Sequence, residues 1–476
     1  MLEIQTRGVN EAQTPTNGHI PAFAFRPSRS ELIAKGEYLR RQCARRSHAV
    51  WQAPPDRPDP VRLVEEGNLG RIPQLVPLRH GRMIQSPFTY YRGAALAMAV
   101  DLAKVPTTGV RVQACGDAHL GNFRCFATPE RRVIFDIHDL DETLPAPWEW
   151  DLKRLATSFV IASRNNGLSE KRAEEAVLTC VRSYREHMIE FSEMRALEMW
   201  YYRLDADELL EKIEDAEIRA RARKRLAKAK ALSALEYDFP KLADSASESP
   251  TIKDNHPTIY HWRDHGSEEF DAVIRDGFAR YRDSLPDDRR VLLDRYEFKD
   301  LAVKVVGVGS VGTFCGVILL MAGERDPLFL QLKQATASVL EPYAGKSVYA
   351  NHGQRVVQGH RLMQSASDVF LGWTEGRFGR QFYIRQLRDA KIKFAIETFR
   401  SAEMMLFAQW CGWTLARAHA RSGEPALIAG YLGESEIFDE AIANFAIAYA
   451  DQSERDHEAL MKAVRAGKLE VLMERE

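Results

Sequence analysis

Over residues 88–103 the apolar side chains of Phe88, Tyr91, Ala95, Met98, Ala99 and Leu102 recur at helical spacing, which predicts one helix with a single buried face. The period then changes. Thr107-Thr108-Gly109 turns the chain into Val110-Arg111-Val112-Gln113-Ala114, a short strand entering a polar loop, and a second apolar run follows at Val133-Ile134-Phe135. Helical spacing returns over Leu152–Arg164 and again from Ser169-Glu170, with Gly167 between them. Residues 205–236 are dense in Ala, Leu, Glu, Lys and Arg, which predicts one long exposed helix laced with i,i+4 ion pairs. Its basic run Arg219–Arg225 reads as a solvated face, because acidic residues precede it on the same helix.

The second half alternates differently. Residues 240–262 have no period and read as a connection. Leu301–Val306 reads as a strand, Gly307-Val308-Gly309-Ser310-Val311-Gly312 as a loop, and Thr313–Met321 as a second strand. A turn at Gly323–Pro327 leads to a third strand ending Leu332-Lys333. Phe382–Leu387 is a further strand, and residues 397–420 a long helix. At the other end, residues 1–28 are rich in Pro, Thr, Asn and Gly and read as a loose arm. A basic helix over 29–49 is broken by the prolines at 54, 55, 58 and 60.

Composition narrows the classes. A chain of 476 residues, 45% hydrophobic and 28% charged, has room for more than one core. A net charge of −1 gives no global attraction to nucleic acid or an anionic membrane. No apolar run reaches the roughly 18–20 residues of a membrane span, and Met1–Arg7 lacks a signal-type apolar core, so a cytoplasmic location is expected. The six cysteines (43, 115, 125, 180, 315, 411) have no Cys-x-x-Cys spacing, and no disulfide framework is expected. Cys115 and Cys125 read as small semi-buried side chains. His261 and His265 have i,i+4 spacing but lack the glutamate of a zinc protease motif, and are not read as metal ligands.

The chemistry concentrates in two places. Cys115-Gly116-Asp117-Ala118-His119-Leu120-Gly121-Asn122-Phe123 is followed by Phe135-Asp136-Ile137-His138-Asp139-Leu140-Asp141-Glu142. Phosphoryl transfer from ATP needs a carboxylate to orient or deprotonate the acceptor hydroxyl, and an amide oxygen with a second carboxylate to hold magnesium. The five-residue step from Asp117 to Asn122 matches the kinase catalytic loop. Asp117 is therefore the candidate catalytic residue. Asn122 and Asp136 are candidate magnesium ligands, with Asp139 a further one and Asp141 an additional acid. His119 touches the acceptor or braces the loop, and bracing is preferred. The second place is the loop of Gly307, Gly309, Ser310 and Gly312, which would let its backbone approach phosphates, with Lys333 on the third strand as their point charge. A dinucleotide turn is disfavoured because a strand, not a helix, follows the loop.

The segment at 115–123 resembles the HGDxHxGN loop of aminoglycoside phosphotransferase-like and choline-kinase-like enzymes, with Cys115 in place of the first histidine. A wider resemblance is to the bacterial family catalogued as domain of unknown function 2252. It is carried by Ser86–Gly93, Trp148-Glu149-Trp150-Asp151-Leu152, Val306–Thr313 and Gln381–Leu387, over residues 60–450. The first resemblance implies that Asp151, a helix-capping position in its own right, braces the catalytic loop. It also exposes an inverted order, since in kinases the small lobe precedes the catalytic loop. The expected fold is α+β, protein-kinase-like, two-lobed and circularly permuted. The expected parts are an arm and basic helix (1–60), a large-lobe part with the catalytic loop (61–240), a connection (241–300), a β-rich small lobe (301–390) and closing helices (391–476). The expected function is an ATP- and magnesium-dependent phosphotransferase acting on an unidentified hydroxyl acceptor, with no nucleic-acid or membrane partner.

Two other classes stay open at this point. Asp117, His119, Asp136, His138, Asp139 and Asp141 could form a two-metal phosphohydrolase site. The segment near 352–367 offers Gln354, Gln358 and His360 but no glutamate to pair with Lys333, which leaves room for a nucleotidyl transferase or a pseudokinase binding module.

Overall fold

The computed structural model describes residues 26–231, 239–244, 250–256, 258–261, 268–305, 307–324, 326–387 and 391–474. The protein is mixed α+β, mostly helical, with antiparallel sheets. Its strands are β1 (Arg111–Ala114), β2 (Phe123–Ala127), β3 (Val133–Ile137), β4 (Leu144–Pro147), β5 (Ile259–Tyr260), β6 (Glu297–Lys304), β7 (Cys315–Ala322), β8 (Asp326–Ala335), β9 (Gly372–Glu375) and β10 (Gln381–Gln386). β1 pairs with β4 and β2 with β3, while the other six form one sheet in the order β5-β6-β7-β8-β10-β9.

Register decides what the six-stranded sheet presents. Lys333 on β8 stands opposite Cys315 on β7 and Tyr383 on β10, so these three share one face. Two residues along, Gln331 and Arg385 oppose each other on that same face. The alternate residues Ile318, Leu330 and Ile384 join an apolar cluster with Tyr281 and Phe278 of the helix Glu268–Asp283. One face is thus buried under that helix, and the other carries polar groups.

The helical core is built by α1 (Trp148–Asn165), α2 (Glu170–Glu193), α4 (Ser401–Ser422) and α5 (Ile437–Arg465), which share one large apolar cluster with β1–β4. A further helix, α3 (His352–Met363), lies between the two units, touching β8, β9 and β10 on one side and α4 and β1 on the other. No described helix is long and apolar enough to cross a membrane. All six cysteines are buried and free.

Several elements depart from the expected pattern. The helix expected over 88–103 is two, Pro87–Gly93 and Ala95–Leu102, separated by Ala94 at φ −111°, ψ 36°. The carbonyl of Gly93 is drawn out by the buried Arg79 guanidinium at 2.8 Å. The helix expected over 205–236 is also two, Ala206–Glu211 and Ala216–Ala231, and the Asp215 carboxylate caps the second by accepting from the amides of Glu217 and Ile218. Residues 241–300 supply β5, the first half of β6 and the helices Glu268–Asp283 and Asp287–Leu293, so they belong to the sheet unit. Most of the expected N-terminal arm, Val306, His265 and the end of the 205–236 run lie outside the described residues.

Candidate active site

The loop after β1 is anchored by α1. The Asp151 carboxylate accepts the amides of Cys115 (2.5 Å) and Gly116 (2.9 Å) and lies 3.1 Å from His419 Nε2 on α4. The Tyr184 hydroxyl on α2 closes the chain 2.9 Å from His419 Nδ1. Gly116 has φ +81°, and a Cβ there would fall 2.3 Å from the Glu142 carbonyl oxygen, so only glycine passes this turn. Farther on, the Leu120 amide donates to Ser158 Oγ at 3.0 Å.

Asp117 points inward, its side chain one-fifth exposed. Its Oδ1 accepts from Arg154 Nε at 2.6 Å and lies 2.5 Å from Nη2. That guanidinium also donates to the Tyr91 carbonyl and lies over the Tyr91 ring, 4.4 Å from its centroid. Asp117 Oδ2 is 3.8 Å from His119 Nε2, beyond hydrogen-bond reach. The His119 ring is buried and its Nδ1 accepts the Gly121 amide at 3.1 Å. Burial pulls its pKa down to about 3, so it is a neutral brace of the loop. The Asn122 side-chain amide donates to the Asp117 carbonyl at 2.8 Å. Because that carbonyl can only accept, the donor is Nδ2, and Oδ1 remains the group able to meet a cation.

Asp136, the other candidate magnesium ligand, is turned toward protein partners in this structure. Its carboxylate is fully buried. Oδ1 accepts from Arg417 Nη2 at 2.5 Å and from the Ile137 amide at 2.8 Å, while Oδ2 accepts both the amide and the hydroxyl of Ser365 at 2.9 Å. With both oxygens taken, Asp136 ties β3 to α4 and to the segment after α3.

The acids that face the sheet are the next two. Lys333 Nζ lies 3.3 Å from each oxygen of Asp139 and 2.5 Å from Asp141 Oδ2, across 194 and 192 positions of sequence. Tyr383 donates its hydroxyl to Asp141 Oδ1 at 2.7 Å. Arg385 donates to the His138 carbonyl at 2.8 Å and to Gln331 Oε1 at 3.3 Å. Lys333 itself is buried. Burial works against its charge, but Asp139 and Asp141 outweigh it and raise its pKa well above the ordinary value. Burial likewise opposes the charge of Asp139, and Lys333, Arg385 and Arg124 override it to hold that carboxyl below the usual range.

α3 fixes the acidic turn from behind. Arg355 donates to the carbonyls of Thr143 (2.5 Å), Asp141 (2.8 Å) and Thr336 (2.8 Å). The helix therefore serves the Lys333 cluster through a backbone brace, while Lys333 takes its partners from the acidic turn.

The glycine loop joins β6 to β7 and is strapped by the N-terminal helices. Arg82 donates to the Gly307 carbonyl, Arg71 to the Val311 carbonyl at 2.5 Å, and the Ile72 amide to the Gly312 carbonyl at 2.7 Å. Gly312 has φ +88° with Arg71 packed on it, and a Cβ on Gly309 would lie 3.1 Å from the Arg92 carbonyl oxygen. Ser310 accepts the Thr313 hydroxyl through its carbonyl at 2.8 Å. Arg92 lies between the two loops, since a Cβ built on Gly121 would stand 3.6 Å from its Nε.

The structure thus brings Lys333 and Asp139 into contact, sets Asp117 beside Asn122, and pairs Asp136 with Arg417 and Ser365. Sequence reasoning missed Arg154, Tyr383, Arg385 and Arg355. Two signals were available: Tyr383 and Arg385 alternate along an expected strand, and Arg154 lies three residues after Asp151 on an expected helix. Asn122 Oδ1 and the Asp139 carboxylate are hard oxygen donors that suit magnesium. No group of three or more His, Cys, Asp or Glu side chains is gathered as a metal cage among the described residues, so a cation here would take few protein ligands. The proposed two-metal constellation is not assembled, since Asp136 turns to Arg417 and His138 to Phe126.

Sheet and site together define a class: an α+β protein whose buried lysine–aspartate cluster joins an antiparallel sheet to a helical unit carrying a Gly-Asp-x-His-x-x-Asn loop. A family model described as "Uncharacterized protein conserved in bacteria (DUF2252)" matches residues 71–463, and the chain belongs to that family. Neither a curated protein nor a solved structure matches the chain.

Proposed function

We propose that the chain is an ATP- and magnesium-dependent phosphotransferase with a circularly permuted, kinase-like arrangement of two lobes. The observation that carries this reading is the contact of Lys333 with Asp139 and Asp141. In kinases the glycine loop joins the first two strands of the small lobe, the phosphate-binding lysine stands on the third, and a metal-binding acid follows the catalytic loop. Here β6, the loop, β7 and Lys333 on β8 follow that plan, and Asp139 follows Asp117 and Asn122.

In this reading Lys333 neutralises phosphate charge and Arg385 adds a second cation beside it. Asp117, fixed by Arg154, turns its free Oδ2 toward the acceptor hydroxyl and orients it or takes its proton. Magnesium, held by Asn122 and Asp139, would supply charge neutralisation on the phosphates. Such a reaction depends mainly on positioning and on electrostatic stabilisation.

Label transfer tests this. The full chain is given magnesium, a cell metabolite extract, and ATP labelled at either the γ or the α phosphorus. The expected result is magnesium-dependent ATP binding and γ-label in a product, both lost in Lys333→Met. Transfer of the α label would make it a nucleotidyl transferase. Absence of magnesium-dependent ATP binding would overturn both readings.

A further inference from the structure

Beside the acidic turn lies a cavity of about 330 Å³. It opens between the β2–β3 hairpin, the end of α3, the segment 368–371, the end of β10 and the helix Asp287–Leu293. This volume falls within the range of small-molecule sites. Phe126, Leu292, Val369 and Leu371 give it apolar walls.

Two histidines from different elements line the cavity. His138 follows β3 and His360 is on α3; they are 8% and 2% exposed. Among the described residues neither Nε2 atom has a hydrogen-bond partner. A buried polar atom left unpaired costs about 1–3 kcal/mol, and two lining one cavity call for a common partner. Burial lowers the pKa of His360 to about 3, so that ring is neutral and can donate from Nε2.

The charge of the walls states the partner's sign. The described lining contains Arg131, Arg289, Arg385 and Lys391 against one acid, Asp368. The oxygens of that acid accept the amides of Phe370 (2.7 Å) and Gln386 (2.6 Å), so they are not open to a ligand, while its charge offsets one of the four cations. We infer that this cavity is a second ligand site, which binds a small molecule with an apolar body and an oxyanion, phosphate or carboxylate, received by His138, His360 and Arg385. The site stands on its own cavity and does not depend on the nucleotide reading. Its wall is nonetheless one residue from Asp139, and Arg385 is shared between the two sites.

Isothermal titration of the magnesium-free full chain tests the inference, with inorganic phosphate in one arm and acetate in the other. Saturable binding with a Kd of about 1 mM or tighter is expected in at least one arm, and that arm identifies the head group. Binding should persist in Lys333→Met, which cripples the other site, and weaken about tenfold in His360→Leu. Arg289→Ala, at the partly exposed rim, should weaken it too and keeps the test open if His360→Leu unfolds. No binding in either arm, binding abolished by Lys333→Met, or binding indifferent to both cavity variants would overturn the site. None of these outcomes bears on ATP transfer, which the label experiment reads separately.

Discussion

Asp117 and Asp136 are both carboxylates held by a buried arginine, yet their second oxygens differ in what they can do. Arg154 occupies Oδ1 of Asp117 and, among the described residues, no hydrogen bond reaches Oδ2, whereas Ser365 fills Oδ2 of Asp136. Asp117→Asn keeps the shape and removes the charge. Its transfer rate should fall by about 10² or more while nucleotide affinity changes less than about tenfold. Single-turnover assays beside titration with a non-hydrolysable ATP analogue separate the two, and weaker binding at an unchanged rate would move Asp117 into the nucleotide pocket. Asp136→Ala should instead unfold the protein more easily, by about 3–5 kcal/mol, because it strands the Arg417 charge in the core. Urea denaturation measures this, and a variant as stable as the parent would contradict the structural role. The sequence could not rank Asp136 against Asp139. β3 is buried at all five positions, so alternation does not tell which side faces a cleft, and Arg417 lies 281 residues away.

Among the elements, the legible ones were those whose function and periodicity coincide. The strand–glycine loop–strand–lysine order of 301–333 was readable because β-branched runs flank the glycines, and β6, β7 and β8 stand there. The breaks at Ala94 and after Glu211 were hidden, because Arg79 and Asp215 cause them through contacts that periodicity does not encode. In sequence, the segment of α3 offers no glutamate to pair with Lys333. Its contribution is Arg355, whose guanidinium holds three backbone carbonyls around the acidic turn. Arg355→Ala would leave those carbonyls without their donor and free Asp139 and Asp141 to drift from Lys333. A loss of about 3 kcal/mol in stability is expected, with a fall in turnover exceeding the change in ATP affinity. Hydrogen exchange over residues 139–143, compared with the parent, would show the loosening. Unchanged protection there would mean that the turn is held by other contacts.

For the whole molecule, the sheet unit and the helical unit meet through groups far apart in sequence, and many of these are buried and ionisable. Lys333 with Asp139 and Arg385 with the His138 carbonyl tie the acidic turn to the sheet, and Arg417 with Asp136 ties β3 to α4 within the helical unit. Folding also encloses several neutral histidines. Burial lowers His48, His119 and His360 to about 3 and His187 to about 4, against about 6.5 in the unfolded chain. The sign follows from proton counting. Between about pH 4 and 6.5 the unfolded chain binds these protons and the folded chain does not. Stability from these four groups is therefore complete above pH 6.5 and is lost as pH falls toward their folded values. Each contributes about 1.4 kcal/mol per pH unit in that window, so the four together set a slope of at most about 5 kcal/mol per unit near pH 5. Urea midpoints at pH 7.5, 6 and 5 should drop progressively. His360→Gln should flatten the slope by about a quarter of this contribution, since one of the four titrating groups is gone. A midpoint that holds steady from pH 7.5 to 5 would mean that these rings take up protons in the folded state, and that the core around them is not closed to water.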